Sequence, residues 1–196
     1  MAGEWSGCMK LCDILKGRIQ GLTKAGAGDI EHEGNTSIAD FMKSPLYQTE
    51  AEYQVLLSGF ESNLPFIYTI SISQGTPKIE SKQNFGVIGW GSTIATVLLT
   101  LRESHSTMPL PYVAYLVYEA KRASEKTGYV GRFTALAIQA PGPSEIKDKA
   151  YLKIMSETGK AHLEVVYSGL WQVPFAKIPD LEDDFFIDPT AKRSPQ

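Results

Sequence analysis

Only two cysteines occur in the 196 residues, Cys8 and Cys12, and they stand four apart. On a helix that spacing puts both thiols on one face, and it makes neither a C-x-x-C redox pair nor a zinc knuckle. Two small apolar core residues are the reading it favours. The three histidines, His32, His105 and His162, are far apart in sequence and have no partner at metal-ligand spacing. No segment approaches the ~18 consecutive apolar residues of a membrane helix. The start, Met1-Ala2-Gly3-Glu4, lacks the basic region and apolar run of a secretory leader. A cytoplasmic location follows, with the nucleus as a second compartment. An excess of one charge is missing too. The 19 Lys and Arg against 22 Asp and Glu leave a net charge of −3, which offers no basic field to phosphate backbones. Nucleic acid and membrane are therefore set aside as partners, and no cofactor is implied.

What is present is ordinary globular material, with 43% hydrophobic and 21% charged residues. One core with tails is expected at this length. Leu11, Ile14, Leu15, Ile19 and Leu22 recur at helical spacing from Trp5 to Leu22, and Gly26-Ala27-Gly28 is expected to end that helix. A second helix is expected over Ser37 to Lys43. Tyr53 to Leu57 and Phe66 to Ile72 are rich in β-branched and aromatic residues and predict adjacent strands. Gln74-Gly75-Thr76 supplies a turn into a third strand, from Lys78 through Ile79 and on to Phe85-Gly86-Val87-Ile88. Gly89-Trp90-Gly91-Ser92 breaks that strand and opens a helix through Ile94, Val97, Leu98 and Leu101. A further helix starts at Pro109 and Pro111, with an inner face of Val113, Leu116, Val117 and Ala120. Strands are expected at Phe133 to Gln139 and Tyr151 to Met155. Ser156 is a suitable N-cap for a last helix that buries Leu163, Val166, Tyr167 and Leu170. From Val173 to Gln196, prolines at 174, 179, 189 and 195 and an acidic cluster around Phe185-Phe186 predict an extended arm, leaving residues 1–172 as the domain.

Several short motifs suggest chemistry and fail on context. Gly89-Trp90-Gly91 between a strand and a helix is like a dinucleotide loop, but Ile94 stands where the third glycine belongs. Ser144 to Lys147 has the form S-x-x-K and Lys126-Thr127-Gly128 the form K-T-G, in the reverse order to that of penicillin-binding acylases. No G-x-S-x-G elbow is present. Thr36, after Asn35, lies between expected helices and has no claim to be a processed nucleophile.

A longer pattern carries more. Ala51-Glu52-Tyr53-Gln54-Val55-Leu56-Leu57-Ser58-Gly59-Phe60 is a strand ending in a small residue and glycine, and Pro65-Phe66-Ile67-Tyr68-Thr69-Ile70 is the next strand. Phe85-Gly86-Val87-Ile88-Gly89-Trp90-Gly91-Ser92 leads an apolar strand into a G-x-G turn. Glu119-Ala120-Lys121-Arg122-Ala123 falls in the second of two central helices, and Ala2-Gly3 introduces the first helix. With the order helix, helix, three strands, helix, helix, two strands, helix, these segments resemble the proteasome-type subunits of the N-terminal nucleophile hydrolases, over residues 2 to 171. The resemblance implies an α+β fold, a four-layer αββα sandwich. It also implies a nucleophilic N-terminal Thr whose own amine, with a pKa near ~8, takes the hydroxyl proton.

The resemblance begins at Gly3, so it implies that the strands bearing the Thr and its supporting Asp and Lys are missing from this chain, and an N-terminally incomplete sandwich is expected. Trp90 stands where the family's G-S-G has serine, and the family's Asp-x-x-Ser before Gly falls at Thr127 to Val130. Gly3, Trp90, Gly91, Ser92, Thr127, Val130 and Gly131 form the expected remnant of the pocket, its corner filled by indole. No catalytic or metal-binding residue is assigned. Three functions are expected, the first foremost. One is a non-catalytic structural or assembly element, in a homo- or hetero-oligomer of like-folded subunits. The second is a fragment or alternative-start product of a threonine-type peptidase. The third is a small anion- or nucleotide-binding domain.

Overall fold

A computed structural model describes residues 2–19, 27–61, 64–140, 151–170 and 185–187, and the chain divides into two units, Met1–Gly89 and Trp90–Gln196. The fold is α+β, with five helices and two three-stranded antiparallel sheets among the described residues. No described helix is long and apolar enough to cross a membrane.

The first unit places the helices α1 (Ala2–Ile19) and α2 (Ala27–Met42) on the meander β1 (Tyr53–Glu61), β2 (Leu64–Ser73) and β3 (Thr76–Lys82). Alternation decides which sheet face the helices cover. The register Tyr53↔Ile72, Val55↔Ile70 and Ile70↔Ile79 gathers one apolar face. Leu11, Leu15, Ile38 and Phe41 of the helices pack on it, with Cys8 and Cys12 at its margin as small half-buried residues. Burial, the largest influence on Cys12, raises the pKa of its thiol and keeps it protonated.

Ala27 and Gly28, expected in a loop, already belong to α2, which is much longer than Ser37 to Lys43. Ile30, Gly34, Ser37, Ile38 and Phe41 are buried at spacings of three and four. That stripe outweighs the ~1 kcal/mol that each helical glycine costs. A Cβ on Gly34 would come within 2.7 Å of Ile79 Cδ1, so the glycine lets α2 lie close on β3.

Gln74 and Gly75, with φ of 50° and 75°, form the two-residue turn between β2 and β3. The third strand stops at Lys82, and Phe85 to Ile88 do not extend it. They cross the sheet face opposite the helices, where a Cβ on Gly86 would lie 2.7 Å from Leu56 Cδ1 and 3.0 Å from Ile67 Cγ2. The Gly89 N–H then donates to Gln54 Oε1 at 2.7 Å. Apolar residues crossing a sheet and apolar residues within it look alike in one dimension.

The second unit contains α3 (Ser92–Leu101), α4 (Leu110–Glu125) and α5 (Glu157–Leu170), with a sheet of β4 (Ala137–Ala140), β5 (Tyr151–Met155) and β6 (Phe186–Ile187). The strand expected from Phe133 begins only at Ala137, where the ladder with β5 starts, next to Leu136, whose carbonyl accepts the Met155 N–H at 2.7 Å. Phe133 is instead exposed, with Lys160 Nζ 5.6 Å from its ring centre. In α4 the buried face is Ala114, Tyr115, Leu116, Tyr118, Glu119, Ala120 and Ser124. Val117, expected inward, is 43% exposed.

Ser156 Oγ accepts the Gly159 N–H at 3.2 Å, the expected N-cap of α5. Leu163 and Tyr167 are buried and Val166 is half-buried. Gly159 admits the end of the chain: its absent Cβ would meet Phe185 O at 2.9 Å. Thus Phe185 to Ile187 of the expected arm join this unit, Phe186 and Ile187 as β6. The rest of the arm from 173 onward, and Ser144 to Lys147, lie outside the described residues.

Phe41→Ala should cost about 3–5 kcal/mol in chemical denaturation, because a fully buried ring is lost. The exposed Val165→Ala should stay within ~0.5 kcal/mol. Similar midpoints for the two variants would show that Phe41 is not in the core.

Candidate functional site

The sequence-derived pocket residues meet largely at one corner of the second unit, where the start of α3 approaches the end of α4. Gly91 precedes α3, and a Cβ there would be 2.7 Å from Ser124 Cβ and 3.0 Å from Val130 Cγ2. Glycine is required by this close approach. The single proton of the buried Ser124 hydroxyl serves two carbonyl oxygens, Gly91 O at 3.1 Å and Ala120 O at 2.8 Å. Thr127 Oγ1 donates to Ser124 O at 2.8 Å and accepts the Tyr129 N–H at 3.4 Å. These hydroxyls hold backbone in place. The corner is built as a joint between the start of α3 and the end of α4.

Trp90 does not fill the corner as expected. Its indole is 84% exposed and stacks on Tyr129, itself 78% exposed, with ring centres 6.1 Å apart and an interplanar angle of 29°. Ser92, Thr127 and Val130 are half-buried, and Gly131 is exposed. Gly3 lies in the first turn of α1, in the first unit. Lys126-Thr127-Gly128 is the turn that ends α4, with Gly128 at φ 78°. Thr36 is helical, and its hydroxyl donates to His32 O at 2.9 Å. His105 Nδ1 is 2.9 Å from Thr107 Oγ1, and the His162 ring packs on Phe185 with centres 4.8 Å apart. No cluster of three or more His, Cys, Asp or Glu able to hold a metal occurs among the described residues.

Beside the corner runs a chain of charges that the sequence showed only as a polar helix end. Glu125 is paired with both Lys121 and Arg122, and Arg122 Nη2 also reaches Glu164 on α5 at 3.0 Å. The Tyr118 hydroxyl donates to Glu164. Lys121 Nζ donates to Gly131 O at 2.7 Å, which ties the loop after α4 back to that helix. Nearer the start of α4, Arg102 clamps the buried Glu119 through Nε at 3.2 Å and Nη2 at 2.7 Å. The spacings of three and four within α4 were legible signals for the Glu125 pairs. Nothing in the linear order linked them to Glu164.

Burial pushes the Tyr118 phenol pKa upward, and the hydrogen bond to Glu164 adds to it. Burial alone would also raise the pKa of Glu125. The hydrogen bond and charge of Lys121, with those of Arg122, more than offset it and hold the carboxyl below its ordinary value. No family model, curated protein or solved structure matches the chain.

A carboxyl depressed in the folded state contributes stability above its unfolded pKa, near ~4.3 for glutamate. That contribution is lost as pH falls through the folded value. Glu125→Gln should therefore lower the urea midpoint at neutral pH and flatten its decline on acidification. An unchanged acid limb would contradict this role. Trp90→Ala should leave stability within ~0.5 kcal/mol, since the ring is mostly in solvent.

Proposed function

We propose that the chain is a proteasome-like subunit in a non-catalytic form, a structural or assembly element of an oligomer of like-folded subunits. The element order is the observation that carries this reading. Two helices, a three-stranded meander, two helices, two strands and a helix follow one another, and β6 comes last. That is the order the sequence resemblance implies, and both sheets are antiparallel. The arrangement proposed for them is the four-layer αββα sandwich, with the cytoplasm or nucleus as the place of action. A structural role is also supported by how the hydroxyls at the corner are used, since Ser124 and Thr127 are committed to backbone carbonyls.

Assembly has a surface to work with. Along α3, Val97 is 53% and Leu101 77% exposed, and with Thr93, Ile94 and Leu98 they line an open apolar groove. Exposed apolar side chains that are contiguous mark interaction surfaces more often than single ones do. Sedimentation velocity over a concentration series should show the chain in assemblies. The double substitution Val97→Asp with Leu101→Asp should reduce them to smaller species while the circular dichroism spectrum is retained. A wild type no larger than this variant would overturn the assembly reading. Peptide hydrolysis that disappears on alanine substitution of Ser92 or Thr127 would overturn the non-catalytic one.

A further inference from the structure

The sheet of the second unit is completed by a segment from far along the chain. Phe185 O accepts the Ser156 N–H at 2.6 Å, at the start of α5, and Phe186 and Ile187 pair antiparallel with Met155 and Ile154 of β5. The Phe185 ring is buried and packs on the His162 ring, with centres 4.8 Å apart. Gly159 forms the floor of this seat. A Cβ there would stand 2.8 Å from Phe185 Cβ and 2.9 Å from its carbonyl oxygen. Beyond the anchor the hold is slight, since Ile187 is 56% exposed.

We propose that this seat is an exchangeable docking site, and that it takes the Phe185-Phe186-Ile187 segment of a second copy of the chain in reciprocal trade for its own. The segment is read by main-chain pairing and one aromatic anchor, the mode in which extended peptides add to a sheet. The same hydrogen bond, ring contact and short ladder form whichever copy supplies the segment. Contacts therefore do not favour the chain's own segment, and the balance rests on the connection and on concentration. Fourteen residues, Trp171 to Asp184, separate the end of α5 from Phe185. A chain of that length spans up to ~45 Å, against ~30 Å for the diameter of a small domain, so the nearest seat is not imposed by reach.

The segment is also suited to release. Its ladder with β5 is two residues long, where strands of about five to six are usual. Glu182, Asp183, Asp184 and Asp188 flank the Phe-Phe-Ile run. Carboxylates on both sides keep a detached aromatic run in water and oppose its non-specific collapse. This inference stands on the docked segment and does not depend on the family reading.

Two variants of the full chain separate seat from segment. Gly159→Val closes the seat and leaves the segment, whereas Phe185→Ala removes the anchor and leaves the seat. Titration of unlabelled Gly159→Val chain into isotope-labelled Phe185→Ala chain should shift the Met155, Ser156 and Gly159 amide resonances and saturate one to one. A chain with both substitutions should give less than a tenth of that shift. No shift with the single variant, or an equal shift with the double one, would overturn the proposal. A second measurement needs neither variant. Light and heavy copies carrying Ile187→p-benzoylphenylalanine are incubated together at ~1 mM, the effective concentration that a flexible tether supplies. Photo-cross-links from position 187 to β5 or α5 should then join light chains to heavy ones. Cross-links only within single chains would show that each segment serves its own copy, and the proposal would fall. The Val97→Asp with Leu101→Asp chain should exchange segments as the wild type does, so this exchange and assembly through α3 are read separately.

Discussion

The first unit depends on where the Tyr53 ring is held. Tyr53 begins β1 and is fully buried, in edge contact with Phe41 of α2 at 4.9 Å between centres and beside Tyr47 at 5.9 Å. Its hydroxyl accepts the Gln48 N–H at 2.8 Å and lies 3.3 Å from Leu46 O. One side chain thereby anchors the strand, α2 and the connection between them. α1 adapts to the same ring, since a Cβ on Gly7 would fall 2.3 Å from Tyr53 Cε1. An aromatic ring with a polar tip suits this place: the body fills the core and the hydroxyl bonds the backbone of the connection at Leu46 and Gln48.

The second unit is held by a different kind of interaction. Its helices meet through the Arg102–Glu119 clamp and the charges that run from Lys121 through Glu125 and Arg122 to Glu164, with the Arg122 guanidinium 5.9 Å from the centre of the Tyr167 ring. A buried carboxylate without its partner would be costly, so Glu119 and Arg102 fix the relation of the middle of α4 to the end of α3. The Ser124 hydroxyl does the same, at smaller energy, for the other end of the pair. These polar joints lie beside the exposed α3 groove, so a rigid helix pair presents the apolar surface on which assembly is proposed.

The corner of Gly91, Ser124, Thr127 and Val130 is made by close approach of backbone and not by a filled pocket. Of the residues singled out from the family pattern, Gly91 and Thr127 meet Ser124 there and Val130 lies against Gly91, whereas Gly3 lies in α1. The indole expected to plug the corner stands in solvent against Tyr129 instead. Ser124, which the pattern did not mark, is the buried residue at the centre. A serine in the last turn of a helix is too common a feature to attract notice, and only the close approach of Gly91 gives it a task.

Periodicity sufficed for the elements whose burial is one-sided and local. The strands at Tyr53 and Phe66, the helix from Ser92 and the capped helix after Ser156 follow from the alternation or the three-to-four spacing of their apolar residues. The extent of α2, the end of β3 at Lys82 and the late start of β4 did not follow, because each depends on a neighbour distant in sequence. Gly28 stays helical because Ile30, Ile38 and Phe41 are buried, Phe85 to Ile88 leave the ladder because Leu56 and Ile67 offer a face to cross, and the ladder with β5 reaches back only to Leu136 and Ala137. The sequence alone also determined composition, charge and the order of elements, on which the family reading rests. Which side chains share a core and which carboxylates share a cation were decided by tertiary structure. Burial and pairing energies arise between residues that only the folded chain brings into reach.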